Sequence, residues 1–207
     1  MAFSGWPAEA LEFYEGLAAD NSRSYWTRHK QVYEEQVLRP MTELVDELAP
    51  EFGEPKIFRP YRDIRFSKDK TPYKTQIAAT VGSGYVRLSA DGLAAGAGLP
   101  HLAAGQLGRY RSAVAGEPGA GLERLIADLN RQGISVVGTD ELKTAPRGYP
   151  PDHPRIGLLR WKGLIAWKEW PVEPWLGTRA ARDRVVAVFT ATGPLSNWLE
   201  THVGPAA

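Results

Sequence analysis

Residues 56–80 read KIFRPYRDIRFSKDKTPYKTQIAAT, and the way this stretch folds decides what kind of sheet the chain builds. Its tail, Gln76 to Val81, is a short apolar run that predicts a buried strand, and Lys56 to Phe66 predicts another. On the latter, the two-residue strand period puts Phe58, Ile64 and Phe66 on one face and Arg59, Tyr61, Asp63 and Arg65 on the other. Ser67 to Pro72 holds no apolar residue and ends in proline, which predicts a loop joining the two strands. That loop carries Lys68, Lys70, Tyr73 and Lys74 toward one mouth.

The same segment concentrates charge. Lys56, Arg59, Arg62, Arg65, Lys68, Lys70 and Lys74 stand against only Asp63 and Asp69, in a chain whose net charge is +1. Like charges near 4 Å repel by roughly 1 kcal/mol per pair in water and by more where shielded from it. A negative guest among them relieves that cost, so the cluster predicts an anion site. Taken singly, each cation reads as a solvated surface group, with Asp63 bridging Arg59 and Arg65.

Working toward the N-terminus, Pro7 suits the first turn of a helix, with Leu11, Tyr14, Leu17 and Ala18 at helical spacing behind it. This helix ends near Asp20 and Asn21. Asn21 or Ser22 caps a second helix, whose apolar stripe runs through Trp26, Tyr33, Val37, Met41, Leu44 and Leu48. Pro40 predicts a kink or break near Leu38 and Arg39.

Toward the C-terminus, Tyr85 to Ser89 predicts a strand, turned at Ala90-Asp91-Gly92 and returning through Leu93 to Ala97. Gly92, Gly96 and Gly98 fit neither a dinucleotide fingerprint nor a phosphate loop, and read as close packing against a neighbour or ligand. Helices follow over Leu102 to Val114 and Gly121 to Arg131; in the first, Arg109 and Arg111 are candidates to extend the cationic site. Leu164 to Trp167 predicts a last strand, and Arg179 to Ala191 with Leu195 to Val203 a closing helix pair broken at Gly193-Pro194. Together these elements predict an α+β fold, with a central, mostly antiparallel sheet and helices of the N- and C-terminal ends packed against it.

A second informative stretch is Leu142 to Trp161, LKTAPRGYPPDHPRIGLLRW. Pro154 pushes His153 out of helical geometry and starts a short helix capped by Asp152 or His153. In a stiff loop beside Arg147 and Tyr149, His153 is either a proton donor or a cap hydrogen-bonded to backbone.

Composition bounds the rest. With 207 residues and 43% hydrophobic content, the chain supports one substantial core, read as a single domain over residues 1–207. It contains no cysteine, which removes disulfides, thiol nucleophiles and cysteine metal sites and fits a reducing cytoplasm. Its start has no basic, apolar leader and no stretch reaches the length of a membrane span, so a soluble, cytoplasmic protein is expected. HExxH and G-x-S-x-G motifs are missing, and His29, His101, His153 and His202 are widely spread, so no metal ligands are assigned.

The motifs FRPYRDIRFSKDKTPYKT, YVRLSADGLAAGAG, QLGRYRSAV and LKTAPRGYPPDHP, in this order, resemble a bacterial and fungal family known as domain of unknown function 2461. The resemblance runs from the Asp20-Asn21 region to the last helices. The family pattern has two asparagines followed by Trp-Phe, where this chain has Asp20-Asn21 and Tyr25-Trp26. It implies one domain over most of the chain and supplies neither a mechanism nor a cofactor.

Function therefore rests on the basic segment. Arg59, Arg62, Arg65, Lys68, Lys70, Tyr73, Lys74 and Arg147 are the candidate ligand-binding residues for a phosphorylated or carboxylated small molecule, with His153 and Asp63 as candidate acid or base groups. One alternative is a nucleic-acid module, with Tyr61, Phe66 and Tyr73 as stacking rings. Another is a protein-interaction domain presenting Trp161, Trp167, Trp170 and Trp175. No residue pattern fixes the reaction or the oligomeric state.

Overall fold

A computed structural model describes residues 2–63, 65 and 68–205 and shows how the N-terminal helices accommodate Pro40. Helix α1 (Ala8–Ala19) starts directly after Pro7 and buries Ala10, Phe13, Tyr14 and Leu17. Ser22 caps α2 (Arg23–Val32), its hydroxyl accepting from the Tyr25 N–H at 3.1 Å. Of the kink or break expected near Leu38 and Arg39, there is no break: a π-helical turn over Tyr33–Leu38 leads without interruption into α3 (Arg39–Phe52). Pro40 has no N–H for the helical ladder. The turn before it widens, with the Arg39 N–H reaching the Glu34 carbonyl five residues back and the Arg39 guanidinium covering the Glu35 carbonyl at 3.0 Å. The helical stripe is preserved, since Trp26, Tyr33, Val37, Met41, Leu44 and Leu48 are all buried. Burying one such Leu is worth about 1.5–3 kcal/mol.

Six strands form one antiparallel sheet in the order β1-β2-β3-β4-β6-β5. β1 (Pro55–Ile57), β2 (Gln76–Val81) and β3 (Gly84–Ser89) are followed by β4 (Gly92–Leu99), β5 (Ser135–Gly138) and β6 (Leu164–Trp170). With these strands and helices the chain is α+β.

The chain divides into two compact units, residues 1–95 with 169–187 and residues 96–168 with 188–207. In the first unit α3 lies against β1 and β2. Gly82 turns β2 into β3 with φ +54°, where an added Cβ would stand 1.9 Å from the Phe52 carbonyl oxygen. Asp91-Gly92 turns β3 into β4 as expected, and Gly92 passes the Trp170 carbonyl so closely that a Cβ would fall 2.2 Å from it. In the second unit Gly96 and Gly98 lie equally close to the Ala166 and Leu164 carbonyls. Their reading as close strand packing is met by backbone neighbours.

The strand expected over Lys56 to Phe66 is much shorter. β1 pairs with β2 through Lys56 opposite Thr80 and Ile57 opposite Ala79, and the Phe58 N–H still reaches the Ala78 carbonyl at 2.9 Å. Pro60 then offers no donor, and among the described residues of the segment only an isolated bridge between Tyr61 and Tyr73 follows. The placement of Ile64, Phe66 and Ser67 lies outside the described residues, so the face assigned to Ile64 and Phe66 is not described.

In the second unit α4 (Ala104–Ala115) and α5 (Pro118–Arg131) follow β4, and α5 lies against β5. The short helix α6 (Ile156–Arg160) starts two residues later than Pro154. The closing pair is one helix, α7 (Ala180–His202), with Pro194 inside it. Val188, Phe189, Leu195, Trp198 and Leu199 on both sides of the proline are buried, and that burial outweighs the roughly 3 kcal/mol an interior proline costs. The Trp198 indole also donates to the Pro118 carbonyl at 3.1 Å. No described helix is long and apolar enough to cross a membrane.

Candidate functional site

The basic segment is a narrow hairpin pinned at its neck. The Arg62 N–H donates to the Pro72 carbonyl at 2.9 Å and the Lys74 N–H to the Pro60 carbonyl at 2.8 Å, on either side of the Tyr61–Tyr73 bridge. Lys74 ties the same neck with its side chain, Nζ donating to the Arg59 carbonyl at 2.9 Å and lying 5.7 Å from the Phe58 ring centroid. Two bent backbone limbs therefore bring Arg59, Arg62 and Lys74 together although they are up to fifteen residues apart in sequence.

Behind the neck is an aromatic wall. Tyr73 is only 5% exposed and stacks on Trp26, centroids 4.4 Å apart and planes 6° from parallel. Asn21, just before α2, accepts from the Tyr73 N–H at 3.0 Å and donates to the Tyr73 carbonyl at 3.1 Å. Tyr61 packs on this wall, 5.6 Å from Tyr73 and 5.9 Å from Trp26, yet stays 49% exposed. Burial raises the Tyr33 phenol to about 12, with the Tyr61 phenol a second contributor. Tyr33 therefore stays neutral at physiological pH.

The loop's two carboxylates are engaged within it. Asp63 takes a bidentate pair from Arg65, Nε to Oδ1 at 3.0 Å and a terminal nitrogen to Oδ2 at 2.7 Å. The Arg65 guanidinium holds the Asp63 carboxyl below its usual range, helped by the Arg65 N–H and the charge of Arg59. A carboxylate so held is a weak proton acceptor near neutral pH. Asp69 accepts from the Thr71 N–H at 2.9 Å and its hydroxyl at 2.8 Å and pairs with Arg62 at 2.5 Å. The Thr71 bonds first, then Arg62, lower the Asp69 carboxyl as well. Arg59, Lys68 and Lys70 are exposed, and the side chains of Arg59 and Lys68 make no hydrogen bond or ion pair among the described residues.

Arg147 and His153 belong to the second unit. Arg147 is exposed in the turn before Gly148. The half-buried His153 accepts the Arg155 N–H on Nδ1 at 3.0 Å, which leaves Nε2 to carry the proton of the neutral ring, but the cap expected at Asp152 or His153 falls on Arg155 instead, and no side chain caps α6. Arg109 and Arg111 do not extend a cationic face. Arg109 donates to the Val203 and Pro205 carbonyls, and Arg111 to Leu159 at 3.1 Å. The four tryptophans proposed as an exposed patch are half-buried; Trp175 holds Arg184 4.1 Å from its ring centroid and donates to Glu173. Among the described residues no three His, Asp or Glu side chains gather where a metal could be held.

Asn21 and Trp26 carry the hairpin, although their sequence context marks them only as a cap and a stripe residue. Asparagine beside a predicted helix start is explained by capping alone, and its partner, 52 residues on, has no local signature.

No curated protein and no solved structure matches the chain. A family described as a conserved hypothetical protein matches residues 9–198, and the chain belongs to this family, DUF2461.

Proposed function

We propose that the hairpin from Arg59 to Lys74 binds the anionic group, phosphate or carboxylate, of a small molecule. The observation that carries this reading is the way charge is shared within the loop. Asp63 and Asp69 each form an ion pair with one arginine, Arg65 and Arg62, and among the described residues the exposed side chains of Arg59 and Lys68 make no ion pair of their own. A guanidinium presents parallel donors to an oxyanion and a lysine adds a mobile point charge. The pinned neck holds part of this arrangement before a ligand arrives, which lowers the ordering cost of binding. A chain without cysteine supports a cytoplasmic setting, where phosphorylated and carboxylated metabolites are plentiful.

Isothermal titration of the protein with inorganic phosphate, citrate and succinate tests this. Binding of at least one anion by the wild type, weakened about tenfold or more in Arg59→Ala/Lys68→Ala, is expected. Equal binding by the two proteins, or none by either, removes the reading.

A nucleic-acid site on the same hairpin is the second reading, favoured by exposed Tyr61 between Arg59 and Arg62. Against it, Tyr73 is stacked inside on Trp26 and offers no face to a base. Its signature is a linear fall of log affinity with log salt; a flat dependence rejects it.

A further inference from the structure

We infer that the guest of this hairpin carries a planar ring next to its anionic group, as a nucleoside monophosphate does, and that the ring stacks on Tyr61. The inference rests on the anion reading above and adds the half of the ligand that the cations do not specify.

Among the described Phe, Tyr and Trp side chains Tyr61 is the one exposed. An aromatic ring left half in water is ordinary when it stands alone on a surface, but this one stands on a built support. Its backbone is bridged to Tyr73, its ring leans on both Tyr73 and Trp26, and Tyr73 is itself stacked on Trp26 and clamped by Asn21 at both its N–H and its carbonyl. A ring held this way loses little freedom when a second ring is laid on it. Every nucleobase has a face that can be so laid, and the gain does not depend on which base it is.

The cation belongs to the same short piece of chain. Arg59 and Tyr61 flank Pro60, so their Cα atoms are no more than about 7 Å apart, and one small ligand can meet the ring and the guanidinium together. Arg59 has no hydrogen bond or ion pair of its own through its side chain among the described residues. Tyr73, the other ring of the bridge, is sealed from solvent. Among its described residues the hairpin thus offers one exposed stacking surface beside one guanidinium that makes no hydrogen bond or ion pair, which suits a single base with its phosphate.

The test compares inorganic phosphate, ribose 5-phosphate and AMP by isothermal titration on the wild type, Tyr61→Leu and Tyr61→Phe. Stacking predicts that AMP binds the wild type about tenfold or more tightly than ribose 5-phosphate does. That gap persists in Tyr61→Phe, which keeps the ring, and closes in Tyr61→Leu with ribose 5-phosphate affinity unchanged. Equal affinities for AMP and ribose 5-phosphate in the wild type overturn the ring inference and leave the anion reading standing. A gap that survives Tyr61→Leu also overturns it. If neither phosphate, ribose 5-phosphate nor AMP binds, the anion reading falls and takes this inference with it. Should Tyr61→Leu fail to fold, the wild-type comparison of AMP with ribose 5-phosphate still decides.

Discussion

Asn21 satisfies both backbone polar groups of Tyr73, its side-chain oxygen accepting the N–H at 3.0 Å and its amide donating to the carbonyl at 3.1 Å. One side chain at the α1–α2 junction therefore does for Tyr73 what a neighbouring strand does for a sheet residue. Asn21→Ala leaves a largely buried N–H and carbonyl without partners and should destabilise the protein by about 1–3 kcal/mol. Asn21→Asp keeps the acceptor, loses the donor and should fall between. Urea unfolding of the three proteins checks this, and a variant as stable as the wild type removes the role assigned to Asn21.

Gly82 tests the turn between β2 and β3. With φ +54° and the Phe52 carbonyl oxygen 1.9 Å from any added Cβ, Gly82→Ala meets both a left-handed backbone and a clash with main chain that cannot swing aside. A loss of about 2 kcal/mol or more is expected in thermal or urea unfolding. Gly148 has φ +89° but open space around it. Gly148→Ala should cost less, through the backbone conformation alone.

Stability in acid should depend on Glu47. Its carboxylate accepts from the Phe3 N–H at 2.8 Å and pairs with Arg179 at 2.9 Å and Arg182 at 2.8 Å. Partial burial works against the charged form, but these partners outweigh it and hold the group below its usual 4.5. A carboxyl lowered in the folded state stabilises it fully above the unfolded value, and the benefit is lost as pH falls through the folded value. Glu47→Gln should therefore be less stable than the wild type at pH 7, by about 1 kcal/mol, and the difference should shrink toward pH 3. A difference constant from pH 7 to pH 3 contradicts this.

Asp63 offers a test of sign. If it served as a base or held the ligand, Asp63→Asn would abolish binding or turnover. Paired with Arg65, it neutralises a cation of the proposed anion site, so Asp63→Asn removes a negative charge from the hairpin and should tighten phosphate binding a few-fold at low salt. Weaker phosphate binding in this variant counts against that role.

The parts of the fold written in local chemistry were legible from sequence. The helical stripe from Trp26 to Leu48 is dictated by spacing, Ser22 by its capping hydroxyl, and the β3–β4 hairpin by Asp91-Gly92. Where tertiary packing competes with a local rule, reading fails. Pro60 cut the first strand short because a missing N–H matters in a ladder, whereas Pro194 sits within α7 because the apolar residues around it are buried. β5 is four residues long, with Val137 exposed, too short and too wet to announce itself by pattern. Within the site, the density of cations was visible, while the pairing of Asp69 with Arg62 and the burial of Tyr73 depend on how the loop closes.

Anion binding by the hairpin is tested most directly by following backbone amide and arginine Nε–H signals in two-dimensional NMR while inorganic phosphate is added. A site on the hairpin predicts saturable shifts concentrated in residues 59–74, with the Arg59 Nε–H and the Lys68 amide among the largest, and their loss in Arg59→Ala/Lys68→Ala. Saturable shifts centred elsewhere in the chain, or signals of 59–74 that stay still through the titration, would contradict it.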